Sequence, residues 1–231
     1  MRRHFSVTAV ALISAVTVSA ALAAENTSPS WDGLIPVKSK RLEAVYLMPD
    51  ADFRTYTKVM FDPVEVALKK DWVRDYNRTA GDLSGQISKA DVQKGLETIR
   101  TGFSVTFAKI FSDAGYQVVT TPGPDVLRLR TGVMNVSVTA PDIRPGNSRT
   151  FSRDAGEATL ILEARDSETG AVMGRAVDRR LAGDTSRLMR NSVTNRSDFS
   201  LLFTGWAKAS VDGLAELKAL SPVNVAALPL K

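Results

Sequence analysis

A long apolar stripe at helical spacing begins shortly after residue 90. Ser88 followed by Asp91 is a weak form of the capping box that opens many helices. Gly115 then stands where a left-handed C-terminal cap is expected. Between these ends, apolar residues recur every three or four positions, at Val92, Leu96, Ile99, Phe103, Phe107, Ile110 and Ala114. The pattern predicts one amphipathic helix of about seven turns that packs on the protein's own sheet.

A second stripe of the same kind lies near the C-terminus. We predict a helix over residues 198–220, with Ser197 as its N-cap. The face toward the core would consist of Phe199, Leu202, Phe203, Trp206, Gly213, Leu217 and Leu220. Pro222 follows this helix, and we expect residues 221–231 to form a C-terminal tail.

Shorter segments rich in alternating or β-branched residues predict about six strands. They cover residues 44–48, 57–68, 116–120, 125–139, 157–165 and 171–181. Because proline cannot donate a hydrogen bond to a sheet, Pro63 marks a bulge or an edge position in the second strand. The parity of the apolar residues changes within the fourth strand, and we assign that change to a bulge at Gly132.

The last two predicted strands form a hairpin around residues 166–170. Gly170 would supply the positive φ that such a turn requires. One face would be buried and consist of Ala158, Leu160, Leu162 and Ala164 opposite Val172, Gly174 and Ala176, while Glu163, Arg165 and Arg175 would point outward. Residues 141–156 and 183–197 are expected to be loops on either side of the hairpin.

Two helices far apart in sequence, with strands joined mostly by short turns, are typical of an α+β domain. We therefore predict a single α+β domain over residues 44–220. Its sheet would be largely antiparallel, with about six strands and two long helices packed on one face. Residues 24–43 are polar and contain Pro29 and Pro36, so we expect a flexible lead-in there.

The N-terminus has the features of a secretory signal peptide over residues 1–23. Arg2 and Arg3 precede an uncharged run of apolar and small residues, and Ala21-Leu22-Ala23 fits a cleavage site. We predict cleavage after Ala23 and a periplasmic product, with a retained membrane anchor as the alternative. No cysteine follows, so we do not expect lipidation. No later segment approaches about 18 consecutive apolar residues, and we expect no transmembrane span after cleavage.

The composition restricts the available chemistry. Cleavage would remove His4, which is the only histidine in a 231-residue chain that has no cysteine. Disulfide frameworks, thiolate metal sites and catalytic Ser-His or Cys-His pairs are then excluded. No glycine-rich phosphate-binding loop is present. We therefore assign no catalytic residue and expect neither a cofactor nor a metal site.

Two groups of carboxylates have both a chemical and a structural interpretation. Asp50 and Asp52 could hold a hard cation, and Glu163, Asp166 and Glu168 could supply paired carboxylates for glycoside hydrolysis. Asp50 and Asp52 also suit a solvated turn, and Asp166 suits the first position of a turn, where its side chain bonds the backbone. We favour the turn in each case and keep a hydrolase that acts on envelope glycans as an alternative.

Positive charge is concentrated in one segment of a chain whose net charge is +5. Against Asp178 and Asp184, this segment contains Arg175, Arg179, Arg180, Arg187, Arg190 and Arg196. Arginine binds phosphate and carboxylate groups through a bidentate fork. No aromatic residue is interleaved, so we do not expect a nucleic acid partner. The six arginines are candidate binding residues for an anionic envelope component or an acidic protein, and a solvated strand end is the alternative.

Several segments in fixed order resemble one bacterial family. They include Asp52-Phe53 and Asp62-Pro63-Val64-Glu65-Val66, then Pro122-Gly123-Pro124, Gly156-Glu157-Ala158-Thr159, Asp178-Arg179-Arg180 and Trp206-Ala207. Together they resemble the bacterial domain-of-unknown-function family 3313, from about Trp31 to Leu217. The resemblance implies an envelope protein without an established activity. Many members look like outer-membrane lipoproteins, and this chain departs from them because it has no lipidation cysteine.

These observations support three hypotheses about function. The first is a non-catalytic binding or interaction module of the bacterial cell envelope, which the export signal, the missing catalytic residues and the arginine cluster favour. The second is the carboxylate-based hydrolase. The third is a structural subunit that assembles through an edge of its sheet.

Overall fold

The computed structural model describes residues 32–80, 85–141 and 150–229, apart from the side chains of residues 184–186. The predicted signal peptide and its cleavage site lie outside these residues. The strands are β1 (Ile35–Val37), β2 (Ala44–Leu47), β3 (Lys58–Phe61), β4 (Glu65–Leu68), β5 (Gln117–Val118), β6 (Val126–Val138), β7 (Phe151–Asp166) and β8 (Val172–Met189). The helices are α1 (Trp72–Thr79), α2 (Lys89–Asp113) and α3 (Ser192–Leu220), and a short 3-10 helix covers Val225–Ala227.

The described strands form one mixed sheet of eight strands, in the order β1-β2-β8-β7-β6-β3-β5, with β4 also paired to β6. The fold class α+β is therefore confirmed, but the prediction of six largely antiparallel strands is wrong. Strands β3 and β4 pair with β6 in parallel, and β3 also pairs with β5 in parallel. Parallel neighbours need a long crossover, and here the chain makes it through α1 and α2. The prediction of short turns between neighbouring strands does not allow for this crossover.

The predicted strand over residues 57–68 is two strands. Both β3 and β4 lie along the same edge of β6, and residues 62–64, which include Pro63, separate them. Val64 in this break is buried. The interruption at the proline is thus larger than a bulge within one strand, which was one of the two predictions for Pro63.

Helix α2 follows its prediction closely. Ser88 caps it and forms a reciprocal capping box with Asp91. Gly115 follows the last turn with a φ of 92°, as the left-handed cap requires. Phe103 and Phe107 of the predicted stripe are buried, but so is Phe111, which the stripe did not include, and the last predicted member, Ala114, is exposed.

Helix α3 begins six residues earlier than the predicted residue 198. Asn191 is the N-cap, because its side chain accepts hydrogen bonds from the backbone N–H groups of Val193 and Thr194. Ser197 therefore lies inside the helix, and β8 continues to Met189. The predicted loop over residues 183–197 is wrong, since a strand and a helix meet there with a short connection.

The parity change in β6 is real, but its position differs from the prediction. Gly132 pairs regularly with Ile161, whereas the register shifts between Met134 and Ser137. Asn135 adopts a φ of 52° in this interval. Asparagine tolerates the left-handed conformation better than most residues, so the bulge forms there rather than at the glycine.

The β7–β8 hairpin confirms the predicted turn, but the predicted buried face only in part, because a register shift pairs Val172 with Arg165, and Leu162 and Ala164 are half-buried. Gly170 has a φ of 72°, and Leu162 pairs with Ala176 while Ala164 pairs with Gly174. The opposite face differs from expectation, because Glu163 and Arg175 are 6% and 8% exposed rather than solvated. They bury each other by forming an ion pair across the two strands.

Both ends of the predicted domain are longer than expected. Strand β1 lies within the segment predicted as a flexible lead-in, and Leu34 and Val37 are buried. At the other end, Val223 and Val225 of the predicted tail are buried in the same core. The N–H of Lys38 donates to the carbonyl of Pro229 at 2.8 Å, which ties the two ends together.

Helices α2 and α3 pack on each other, and their buried side chains form one continuous core with the sheet. The centre of the core is aromatic. The rings of Phe103 and Phe107 stack at 4.0 Å, and Phe203 of α3 meets Phe103 edge-on at 5.5 Å. Trp206 is fully buried beneath them. This packing holds the first half of α3 tightly against the sheet, and the second half bounds an open space.

Candidate functional site

An apolar cavity of about 410 Å³ lies between the second half of α3 and the sheet. We call it the sheet–α3 cavity. Its size falls within the range of roughly 300–1,000 Å³ that is typical of small-molecule sites. Its walls include Phe53, Phe111, Leu127, Leu129, Leu162, Leu214 and Leu217.

Small residues create the space on both walls of the sheet–α3 cavity. On the sheet side, Ala164, Gly174 and Ala176 face it from β7 and β8. On the helix side, Ala209 and Gly213 do so. A Cβ atom built on Gly213 would have no heavy atom within 4 Å. Larger apolar side chains at Gly213, Ala164 or Ala176 would reduce this space, whereas a Cβ atom on Gly174 would already meet the Leu47 side chain at 3.1 Å and the Tyr46 carbonyl at 3.3 Å.

The cavity opens to solvent where its lining residues are exposed. Lys38, Ser39 and Lys40, which follow β1, are exposed there, and Glu216 and Leu220 of α3 are exposed opposite them. Leu220 has half of its surface exposed. The opening therefore has a cationic loop on one side and a helix end with both an acidic and an apolar residue on the other.

Arg41 joins the two sides of this opening. Its guanidinium donates to Asp212 at 3.2 Å and to Glu216 at 2.7 Å, both on α3. The hydrogen bond to Glu216 raises the pKa of Arg41. The Nε atom of Arg41 is buried and has no hydrogen-bond acceptor among the described residues. Arg41 thus bridges the two sides of the cavity opening through ion pairs that are exposed to solvent.

A buried carboxylate fixes the wall behind Arg41. Asp178 of β8 accepts hydrogen bonds from the indole of Trp206 at 2.8 Å and from the backbone N–H of Glu43 at 2.8 Å. Arg180 pairs with the same carboxylate at 2.6 Å and donates to the carbonyl of Arg41 at 2.7 Å. The network attaches α3 and the loop before β2 to one strand, so the cavity has a rigid frame.

The arginines that cluster in sequence are separated in space. Strand alternation sends Arg175 and Arg179 to one face of β8 and Arg180 to the other. Arg175 is buried with Glu163, and Arg190 is buried with Asp198 at 2.5 Å. These two guanidinium groups form intramolecular ion pairs, so they are not available to bind a partner.

The remaining members of the arginine cluster differ in their surroundings. Arg179 forms an ion pair with Glu157, although its own side chain is largely exposed. Arg187 and Arg196 are exposed, and we find no ion pair for either among the described residues. Arg187 and Arg196 are therefore the members of the cluster left to contact an anionic partner, whereas Arg179 lies eight residues before Arg187 on β8, about 26 Å away along the strand.

The carboxylates considered for hydrolysis have structural partners. Asp166 accepts hydrogen bonds from the backbone N–H groups of Glu168 and Thr169 and from the hydroxyl of Tyr56. The backbone hydrogen bond from Thr169 is the main cause that lowers the pKa of Asp166. Burial would raise the pKa of Glu163, but hydrogen bonds from Arg175 and Arg165 outweigh it, and the pKa is lowered.

Asp52 pairs with Arg54, which fits the predicted solvated turn. No group of three His, Cys, Asp or Glu side chains that could hold a metal ion occurs in the part of the chain that the structure describes. Within the same ranges, no helix combines the length and the apolar character needed to cross a membrane.

A family model described as a protein of unknown function (DUF3313) matches residues 23–210. This chain belongs to the DUF3313 family. The match confirms the resemblance that the ordered sequence segments indicate. In this DUF3313 chain, the matched range includes the cationic loop and the sheet wall of the cavity and ends within α3. No curated protein sequence matches the chain.

Solved structures similar to this DUF3313 protein include three that cover most of its length. The PelC dodecamer from Paraburkholderia phytofirmans is 15% identical, covers 78% of this chain and 96% of its own, and gives a TM-score of 0.33. Protein XCC0632 from Xanthomonas campestris is 11% identical, with 74% and 88% covered and a TM-score of 0.33. Lipoprotein GNA1162 from Neisseria meningitidis is 11% identical, with 69% and 99% covered and a TM-score of 0.34. At these TM-scores the similarities carry no argument about function.

The cavity and its cationic opening are not among the features predicted from the sequence. One signal was available, because Gly213 lies inside the apolar stripe of the predicted C-terminal helix. A glycine in a helix interior is about 1 kcal/mol less favourable than alanine. Lys38, Lys40 and Arg41 gave no signal, since the segment that contains them was predicted to be flexible.

Proposed function

We propose that this protein is a non-catalytic binding module of the bacterial cell envelope, and that its binding site is the sheet–α3 cavity. The observation that carries the proposal is the pair of small-residue walls. Gly213 leaves open space inside a helix where a larger residue would fill the cavity. Proteins commonly keep such stability deficits where function requires them.

The ligand would be an apolar molecule or the apolar part of a larger one. Buried leucine and phenylalanine side chains dominate the walls, and they offer contact area without directional hydrogen bonds. The partners of Asp166 and Glu163 favour binding over hydrolysis, because these carboxylates already serve a turn and an ion-pair cluster. Assembly through a sheet edge stays an alternative, because the end strands β1 and β5 have only three and two residues but β8 runs on to Met189 beyond the four residues that pair with β2.

Fluorescence of the neutral probe N-phenyl-1-naphthylamine tests this function directly. We expect the wild-type protein to bind the probe with a blue-shifted emission. Gly213→Leu on the helix wall and Ala164→Leu on the sheet wall should each abolish this binding while the protein stays folded by circular dichroism. Gly95→Leu on α2 is the matched control, because Gly95 also has open space around it but lies away from the cavity. Equal probe binding by all four proteins would refute the proposal.

The envelope location rests on the predicted signal peptide and on the family resemblance. We expect the protein in the periplasmic fraction, with a mature N-terminus at Ala24. Mass spectrometry of the native protein from fractionated cells measures both features at once. An intact N-terminus in the cytosol would contradict this part of the proposal.

A further inference from the structure

The charges at the opening of the sheet–α3 cavity are unequal. Lys38, Lys40 and Arg41 supply three cations there, against two carboxylates, Glu216 in the lining and Asp212 beside it, both of which pair with Arg41. Arg175 also borders the cavity, but its guanidinium is bound to Glu163. A ligand whose end lies at this opening therefore meets a cationic rim.

The two lysines of this rim are available to a ligand. Both side chains are exposed, and within the described ranges neither forms an ion pair. Arg41 differs because Asp212 and Glu216 already engage it. An anionic group at the opening would thus be bound first by Lys38 and Lys40, and it could compete with Glu216 for Arg41.

The interior of the cavity determines the size and polarity of the part of the ligand that lies inside it. Its deep walls are apolar, and its volume of about 410 Å³ lies near the lower end of the usual range for ligand sites. A slender apolar chain fits such a space better than a two-chain lipid. The combination of an apolar interior and a cationic rim matches a molecule with one alkyl chain and one anionic head.

We infer that the sheet–α3 cavity binds a single-chain anionic amphiphile, with its alkyl chain in the cavity and its carboxylate or phosphate head against Lys38 and Lys40. This inference rests on the proposed function and names the ligand class of the same site. A neutral amphiphile would leave the lysines without a partner, and a cationic one would be repelled by them.

Calorimetric titration with probes of equal chain length tests the inference. The probes are decanoate, decyl phosphate, 1-decanol and decyltrimethylammonium, each below its micelle-forming concentration. Because a charge-assisted hydrogen bond adds to the binding free energy, both anions should bind about 10-fold or more tighter than decanol. Octanoate and laurate extend the series, and each added methylene should lower the Kd about fourfold until the cavity is full. The tighter of the two anions identifies the head group as a carboxylate or a phosphate.

The double variant Lys38→Ser/Lys40→Ser should bring decanoate binding down to the level of decanol and leave decanol binding unchanged. Lys89→Ser/Lys94→Ser is the matched control, because it removes the same charge from the first turns of α2, about 30 Å along the helix from the cavity-lining Phe111. Decanoate affinity should survive in this control.

The outcomes distinguish a failure of the inferred ligand class from a failure of the proposed binding function. Equal affinities for decanol and decanoate, both abolished by Gly213→Leu, would overturn the inference and leave the cavity function standing. Binding of no probe by the wild-type protein would overturn both. Loss of decanoate binding in the Lys89/Lys94 control would also overturn the inference, because it would show a general charge effect rather than a head-group site.

Discussion

Replacing Gly213 tests the cavity through protein stability, without any ligand. Gly213 lies in α3 and Gly95 lies in α2, and a Cβ atom at either position would have no heavy atom within 4 Å. The two glycines differ in what surrounds the open space. Gly213 lines the cavity, whereas Gly95 is exposed to solvent. Substituting alanine and then leucine at both positions separates helix propensity from burial.

The expected magnitudes follow from the two environments. Alanine in place of a helical glycine stabilises by about 1 kcal/mol, and this gain should be the same at both positions. Full burial of a leucine side chain contributes about 1.5–3 kcal/mol, and we take roughly half of that for a cavity that is open on one side. Gly213→Leu should therefore raise the free energy of unfolding by about 2 kcal/mol, and Gly95→Leu by about 1 kcal/mol.

Urea denaturation followed by circular dichroism measures both changes. The midpoint should rise at an unchanged m-value, which indicates a change in stability alone. If Gly213→Leu is no more stable than Gly95→Leu, the leucine finds no apolar space to fill. If it is less stable than the wild-type protein, the leucine meets close-packed atoms. Either result would refute the reasoning from small residues to an open cavity.

Three further predictions concern charged residues. Arg190→Ala should lower the free energy of unfolding, measured by urea denaturation, by about 3–5 kcal/mol, because it leaves Asp198 buried without its partner. Arg196 is exposed, and Arg196→Ala should change this free energy by less than about 0.5 kcal/mol. The free energy of unfolding should fall as the pH drops below about 4, because the lowered pKa of Glu163 means that the unfolded chain binds more protons than the folded chain. The variant Glu163→Gln, assayed from pH 7 to pH 3, should show a smaller loss of stability. Replacement of Arg187 and Arg196 by serine should weaken retention on isolated envelope fractions at low salt, and unchanged retention would remove the arginine surface from the account.

Features that depend on local sequence were predicted well. The capping box at Ser88, the cap at Gly115 and the turn at Gly170 are each specified by residues within one turn of chain. The part of the buried face of the β7–β8 hairpin that the structure confirms follows from strand alternation alone. These features need no knowledge of distant neighbours.

Features that depend on distant neighbours were predicted poorly. The parallel pairing of β3 and β4 with β6 is decided by the path of the chain through α1 and α2, which no local pattern specifies. Arg175 and Arg190 looked like surface cations because their carboxylate partners become neighbours only in the folded chain. The cavity has the same origin, since the walls that contain Gly174 and Gly213 come from different elements.

Methyl NMR of the protein during titration with decanoate tests the central claim most directly. The account predicts saturable shifts of the Leu129, Leu162 and Leu214 methyl groups, which line the cavity. It also predicts no shift for the exposed methyl groups of Leu188 and Val193. Shifts confined to those exposed residues, with the cavity methyl groups unchanged, would contradict it.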